Sequence, residues 1–268
     1  MEQDRVLTLE RRPSGWEVAF ASQTMLEASE RLPEGLYTTL RTYSHRRILR
    51  PGAHAARLSE AGGTVTEADV LAGVAAALRA SRHPESRLRL TASGRALFVS
   101  VEAFEPLPAL LYERGAEVVT LDLHRDDPGA KRTGFIATAA HAYGALPPGV
   151  HEGLLVTRDG RILEGLSSNV FFVLRGELRT AGAEVLPGVT RSILLELAAE
   201  VLLLRLEPVR QGELPEVSEA FLTSVSRGIL PLVGVDGRAL GDGRPGPRTG
   251  ALSERFAALV ERESVLVP

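Results

Sequence analysis

Two periods of apolar and polar residues alternate along this chain of 268 residues, and each marks a kind of element. Strand-like runs occupy residues 5–10 and 16–21, on either side of the turn Pro13-Ser14-Gly15. Leu36-Tyr37-Thr38-Thr39-Leu40-Arg41-Thr42-Tyr43, rich in β-branched and aromatic residues, predicts another strand. Pro51-Gly52 opens a short helix with His54, Arg57 and Leu58. Thr66-Glu67-Ala68-Asp69 has the form of a capping box with Asp in the usual Glu place. Val70, Val74 and Leu78 follow at helical spacing, and His83-Pro84 ends that helix. Arg87 to Thr91, Ala96 to Val101 and Glu117 to Leu123 read as strands.

The polar, turn-rich His124-Arg125-Asp126-Asp127-Pro128-Gly129 then marks a boundary. The expected division is residues 1–124 as a smaller N-terminal domain, 125–130 as a linker and 131–268 as a larger C-terminal domain. Thr133 to Tyr143 predicts a helix, and Pro147-Pro148-Gly149 breaks the pattern. Gly153 to Thr157 and Arg161 to Leu163 predict a hairpin around Asp159-Gly160. Asn169 to Leu174 and Glu177 to Thr180 predict a second around Arg175-Gly176. Leu186-Pro187-Gly188-Val189-Thr190 leads into a helix expected to run to about Leu204, with Thr190 a candidate N-cap. Strands are expected at Glu219 to Thr223 and Leu230 to Val235, a loop at Gly241 to Gly250, and an amphipathic helix at Ser253 to Glu263. The fold class is therefore mixed α/β (α+β) in two domains.

Composition narrows the functions. Hydrophobic residues make up 44% and charged residues 24%, as in a soluble globular chain. A net charge of −3 provides no electrostatic case for nucleic acid or an anionic membrane. With no cysteine, thiol nucleophiles, thiolate metal sites and disulfides are excluded. The six histidines lack metal-ligand spacing, so no metal is expected. Met1-Glu2-Gln3-Asp4-Arg5 has no signal-peptide pattern and no apolar run reaches a membrane span, so the expected location is cytoplasmic.

One residue alters this picture. Lysine and arginine total 31, and Lys131 is the only lysine, which leaves 30 arginines. An amine can lose its proton and attack a carbonyl; a guanidinium, with a pKa above ~12, cannot. Three features follow Lys131. Glu164-Gly165-Leu166-Ser167-Ser168-Asn169-Val170-Phe171-Phe172 sets a carboxylate at a turn before an apolar strand. Leu186-Pro187-Gly188-Val189-Thr190-Arg191 feeds a helix N-terminus, whose free N–H groups suit a phosphate. Leu222-Thr223-Ser224-Val225-Ser226-Arg227-Gly228 is a strand end and turn rich in hydroxyls. An amine, a carboxylate and a phosphate cradle together are what pyridoxal 5′-phosphate needs.

In this order and content the chain resembles the class IV aminotransferases, the fold type IV pyridoxal-phosphate enzymes. That family includes branched-chain and D-amino-acid aminotransferases and 4-amino-4-deoxychorismate lyases. The likeness covers about residues 35–235 and is most specific in Glu164 to Phe171 joined to Leu186 to Arg191. It implies a cofactor in an interdomain cleft and a homodimer acting on a small amino acid and oxo acid. It implies Lys131 as the Schiff-base lysine and Glu164 as the partner of the pyridine nitrogen. Arg57, Val189, Thr190, Ser224, Val225 and Ser226 would hold the phosphate. Tyr37, Thr38 and Thr39 would face the substrate. The chain departs from the family pattern at Gly134, Phe135 and Ile136, where Asn and Tyr are common after the lysine. It departs again at Leu166, usually small, and at Val225, often Thr. The activity implied is transamination. Two alternatives stay open: the lyase reaction, favoured by Tyr37-Thr38-Thr39, and a catalytically silent relative that binds ligand.

Overall fold

The computed structural model describes residues 5–59 and 63–268; Met1–Asp4, which carry no signal-peptide pattern, lie outside the described residues. The chain forms two compact units that are not contiguous in sequence. The first takes Met1–Glu105, Ala130–Thr138 and Val260–Pro268; the second takes Pro106–Gly129 and Ala139–Leu259.

The first unit is a five-stranded antiparallel sheet. It uses β1 (Val6–Arg12), β2 (Gly15–Ser22), β3 (Leu36–Arg41), β5 (Ser86–Ser93) and β6 (Ala96–Ala103), in the order β2-β1-β6-β5-β3. Between β3 and β5 come β4 (Arg47–Ile48) and two helices, α2 (Pro51–Ser59) and α3 (Glu67–Ser81). One face of the sheet is apolar: Leu36, Leu40, Leu88, Leu90, Val99 and Val101 form a core with Val70 and Val74 of α3 and Leu58 of α2. Period-two alternation in β3 puts Leu36, Thr38 and Leu40 on that face and Tyr37, Thr39 and Arg41 on the other. The Thr66 hydroxyl accepts from the Asp69 amide at 3.1 Å and the Asp69 carboxylate accepts from the Thr66 amide at 2.9 Å, so the capping box is complete. A short helix that the periodicity did not show, α1 (Met25–Glu30), buries Met25 and Ala28 with Val6. The C-terminal β16 (Val265–Leu266) pairs with β4, which is why the chain end belongs to this unit.

The second unit is built on a nine-stranded mixed sheet. Its members are β7 (Ala116–Leu121), β8 (Val150–Val156), β9 (Ile162–Gly165), β10 (Asn169–Leu174), β11 (Glu177–Arg179), β12 (Leu204–Arg205), β13 (Val217–Ser224), β14 (Gly228–Val235) and β15 (Arg238–Ala239). The order is β12-β11-β10-β13-β14-β7-β8-β9, with β15 beside β14. Every residue of β10 is buried, which explains its unbroken apolar run. Phe171 and Phe221 stack across β10 and β13 with centroids 5.1 Å apart. The unit also holds α4 (Ala109–Arg114), again missed by periodicity in six residues, and α6 (Val189–Ala199). Helix α5 (Gly134–Gly144) and helix α7 (Pro247–Glu263) contribute residues to both units.

Strand ends shift by up to three residues from the sequence reading, and two helix boundaries differ by more. Helix α6 ends at Ala199 instead of Leu204, because Leu204 and Arg205 pair in parallel with Leu178 and Arg179. Helix α7 begins at Pro247, inside the expected Gly241–Gly250 loop. The buried Glu219 carboxylate accepts from the Thr249 amide at 2.8 Å and the Arg248 amide at 3.2 Å, so a distant strand caps the helix. Among the described residues no helix is long and apolar enough to cross a membrane.

Replacing Thr66 with Ala removes half of the capping box and should lower stability by about 1 kcal/mol. Urea unfolding monitored by circular dichroism checks this, with the midpoint falling at an unchanged slope.

Candidate active site

In the first unit the free edge of β3 is where Lys131 is held. An edge strand leaves main-chain groups unpaired, and residues 131–133 pair with them. The Tyr37 amide donates to Lys131 O at 2.8 Å, and the Thr133 amide donates to Gly35 O at 2.9 Å. The Gly35 amide donates to Thr133 Oγ1 at 3.0 Å. A side chain at Gly35 would put its Cβ 2.1 Å from Ala92 O, so only glycine lets these strands approach. Lys131 Nζ lies over the Tyr37 ring, 5.0 Å from its centroid, and the Arg89 guanidinium carbon is also 5.0 Å from it.

Beneath this edge the side chains divide by face. Tyr37 and Thr39 are half-buried on one side of β3. Thr38 is fully buried on the other, where its hydroxyl is 2.7 Å from His54 Nδ1. The strand therefore does not present Tyr37, Thr38 and Thr39 together. His54 and Arg57 are three residues apart on α2, and both are buried. Burial lowers the His54 pKa from 6.5 to about 3, and the charges of Arg57 and Lys131 add to the effect. His54 is thus a neutral ring near the only lysine. Sequence reading gave it no role; its spacing from Arg57 was the available signal.

In the second unit three polar side chains form a row across adjacent strands. Asn169 of β10 is registered opposite Glu164 of β9 and opposite Thr223 of β13. Directly opposed residues share a face of the sheet, so the three line up. Asn169 Nδ2 donates to Glu164 Oε2 at 3.2 Å and to Leu186 O at 2.9 Å. The Leu186 amide donates to Glu164 Oε2 at 3.0 Å, and Arg125 Nε is 3.1 Å from Glu164 Oε1. Asn169 and Leu186 donate to Oε2, whereas Arg125 faces Oε1 as an ion-pair partner. Glu164 lies within β9 itself, one step inside the turn expected from sequence. Arg125, its ion-pair partner, lies in the polar boundary segment, where sequence alone assigns it no such role.

The row places the other candidates. Gly188 is the N-cap of α6, with no side chain capping that end, and Val189 and Thr190 form its buried first turn. The N-cap is thus Gly188 instead of Thr190. A Cβ on Gly188 would fall 2.2 Å from Asn169 Oδ1, so the glycine lets α6 start against the row. Ser224 ends β13, Val225 and Ser226 open the half-buried β13–β14 turn, and Ser224 Oγ accepts from the Arg227 amide at 3.2 Å. Arg191 donates from its buried guanidinium to Ala181 O at 2.7 Å.

Behind the row sits a charged cluster that sequence reading missed. Arg227 donates from Nη1 to Glu152 Oε2 at 2.5 Å and from Nη2 to the Tyr143 oxygen at 3.0 Å. Tyr143 donates its phenol proton to Glu152 Oε1 at 2.6 Å, and Ser168 donates to Glu152 Oε2 at 3.0 Å. Burial raises the Tyr143 pKa, with Arg227 opposing and Glu152 adding. For Arg227, burial pulls the pKa down, but the charges of Glu152 and Tyr143 and the hydrogen bonds to them together outweigh it, and the net shift is upward.

Lys131, Tyr37 and Arg57 thus belong to the first unit, and Glu164, Val189, Thr190, Ser224, Val225 and Ser226 to the second. An amine, a carboxylate held among donors, an uncapped helix start and a hydroxyl-bearing turn are the donor set that pyridoxal phosphate fits. Among the described residues no group of three or more His, Cys, Asp or Glu side chains could hold a metal ion.

The chain belongs to the amino-transferase class IV family, whose model matches residues 35–235. It is 30% identical over 172 residues to the branched-chain-amino-acid aminotransferase of Escherichia coli K12, covering 59% of this chain and 54% of that protein. The matched stretch thus spans about half the length of such curated relatives. Solved structures show the same fold. The branched-chain amino acid aminotransferase of T.th., solved with pyridoxamine 5′-phosphate, superposes with a TM-score of 0.81 at 18% identity, covering 98% of both chains. The branched-chain aminotransferase of Thermoproteus uzoniensis, with norvaline, gives a TM-score of 0.79 at 21% identity, covering 98% of this chain and all of that one.

The His54 shift has a definite sign. Below about 6.5 the unfolded chain takes up a proton that the folded ring refuses until about pH 3. Stability from this group is complete above 6.5 and is lost as pH falls toward 3, by up to about 1.4 kcal/mol per pH unit. Urea midpoints measured at pH 7 and pH 5 should fall further apart in the natural protein than in His54→Gln.

Proposed function

We propose that the protein is a pyridoxal-phosphate-dependent aminotransferase that moves an amino group between an amino acid and a 2-oxo acid. The observation that carries the reading is the Glu164 carboxylate, furnished with donors and lined up with the uncapped start of α6, in a chain whose one lysine leans over Tyr37. The relatives named above suggest branched-chain amino acids as the first donors to try.

Bound pyridoxal phosphate would supply an aldehyde and a pyridine ring able to accept electrons from the substrate Cα. Lys131 would hold the aldehyde through Nζ until an incoming amino group takes its place. The released Nζ would then act as a base toward the Cα proton and as an acid when it gives that proton back. Glu164 would keep a proton on the ring nitrogen. Arg57, the Val189 and Thr190 amides and the Ser224-Val225-Ser226 turn would bind the phosphate and fix the tilt of the ring. By resemblance the working unit is a homodimer.

The lyase reading needs a free hydroxyl beside the lysine. Thr38 is buried with its hydroxyl engaged by His54, which leaves Thr39, on the Tyr37 side of β3, as the hydroxyl candidate for that reading. With amino donor alone, an aminotransferase releases one oxo acid per site; a lyase releases pyruvate from aminodeoxychorismate over many turnovers.

Borohydride reduction of protein loaded with pyridoxal phosphate should leave a pyridoxyl adduct on the Lys131 peptide. An unmodified Lys131 peptide from protein shown to contain the cofactor would remove Lys131 from the role. Glu164→Gln should keep the cofactor but lose turnover by a factor on the order of 10² or more, since an amide holds a ring proton poorly. Initial rates with a branched-chain amino acid and 2-oxoglutarate measure this, and near-natural turnover would place Glu164 away from the ring.

A further inference from the structure

The cluster behind the Glu164 row uses charged groups that the proposed chemistry leaves unassigned. Glu152 is fully buried, and a buried carboxylate is costly unless paired and hydrogen-bonded. Here it takes bonds from Arg227, Tyr143 and Ser168. These partners come from different elements. Tyr143 is on α5, Glu152 on β8, Ser167 and Ser168 are in the β9–β10 turn, and Arg227 is in the β13–β14 turn. Ser167 Oγ is 2.6 Å from the Tyr143 oxygen and within 3.4 Å of Arg227 Nη2. The Arg227 main chain is pinned as well, since Tyr112 donates to its carbonyl at 2.8 Å and its amide donates to Ser224 Oγ at 3.2 Å. One guanidinium therefore links the turn that follows Glu164 to the end of β13 and the turn beyond it, Ser224 to Ser226.

We infer that Arg227 is a positioning residue: with Tyr143 and Glu152 it holds the Ser224–Ser226 turn in register with the β9–β10 turn, so that a cofactor's phosphate and its ring nitrogen are gripped at a set spacing. This rests on the reading of those turns given under the proposed function. A fork is needed, because Arg227 reaches Glu152 with one terminal nitrogen and Tyr143 with the other. A lysine keeps the charge opposite Glu152 but can make only part of this pattern.

The test is Arg227→Lys, with Tyr143→Phe as a second, milder variant that keeps the buried ion pair. Dissociation constants for pyridoxal 5′-phosphate and for pyridoxal, which lacks the phosphate, are measured by absorbance titration, alongside melting temperatures. Weakening of pyridoxal 5′-phosphate by about tenfold or more, the equivalent of ~1.4 kcal/mol, with pyridoxal changed by less than about threefold, is the expected result in folded variants. Equal weakening of both ligands, or unchanged affinity for the phosphorylated one, would overturn the inference, since a purely structural role does not single out the phosphate. If the natural protein itself binds no pyridoxal 5′-phosphate, the reading of the site fails first and this inference falls with it.

Discussion

Asn169 is the side chain on which the candidate site of the second unit depends. Its amide donates to the Glu164 carboxylate and to Leu186 O, and its oxygen occupies the space a side chain on Gly188 would need. Its backbone is registered between Glu164 and Thr223. Three segments far apart in sequence thus meet at one buried amide. The amide can do this because it carries both donors and an acceptor on a short, stiff side chain. A hydrophobic residue of the same size would fill the volume and leave Glu164 Oε2 and the Leu186 carbonyl each short of a donor, in a place where water does not compensate.

Charge in this unit follows a consistent logic. Of the three buried carboxylates among the described residues, Glu164 and Glu152 each face an arginine, Arg125 and Arg227 respectively, while Glu219 caps α7. A guanidinium remains charged under all ordinary conditions and offers several donors in a plane, so it suits permanent buried pairs. In the first unit the one lysine is treated differently. Its amine has an aromatic ring beneath it and lies near a histidine held neutral by burial. The chain's use of arginine for structural cations and of a single lysine at the β3 edge separates the two chemistries of its basic residues.

Much of this was legible in the primary structure, for local reasons. The capping box at Thr66 and Asp69, the Arg175-Gly176 hairpin and the apolar run of β10 all follow from neighbours within a few residues. The uniqueness of Lys131 and the order of Glu164, Gly188 to Thr190 and Ser224 to Ser226 point to one chemistry from sequence alone. Such features are readable because a turn, a cap or a missing residue type carries its meaning within its own short window.

What only the tertiary structure decided involves partners distant in sequence. Arg125 is 39 positions from Glu164 in the numbering, and Arg227 is 75 from Glu152, so no local pattern could pair them. The burial of Thr38 against His54 came from α2 packing on the sheet. Residues 131–133 pair with β3 because an edge strand needs main-chain partners, not because of anything in their own side chains. Helix α7 starts at Pro247 because Glu219 from β13 caps it, and α6 stops at Ala199 because the chain beyond it joins a strand. The sequence alone determined which groups this protein has to offer; the packing of distant segments decided which of them are held, paired and aimed, because hydrogen bonds and ion pairs form wherever folding brings donors and acceptors together.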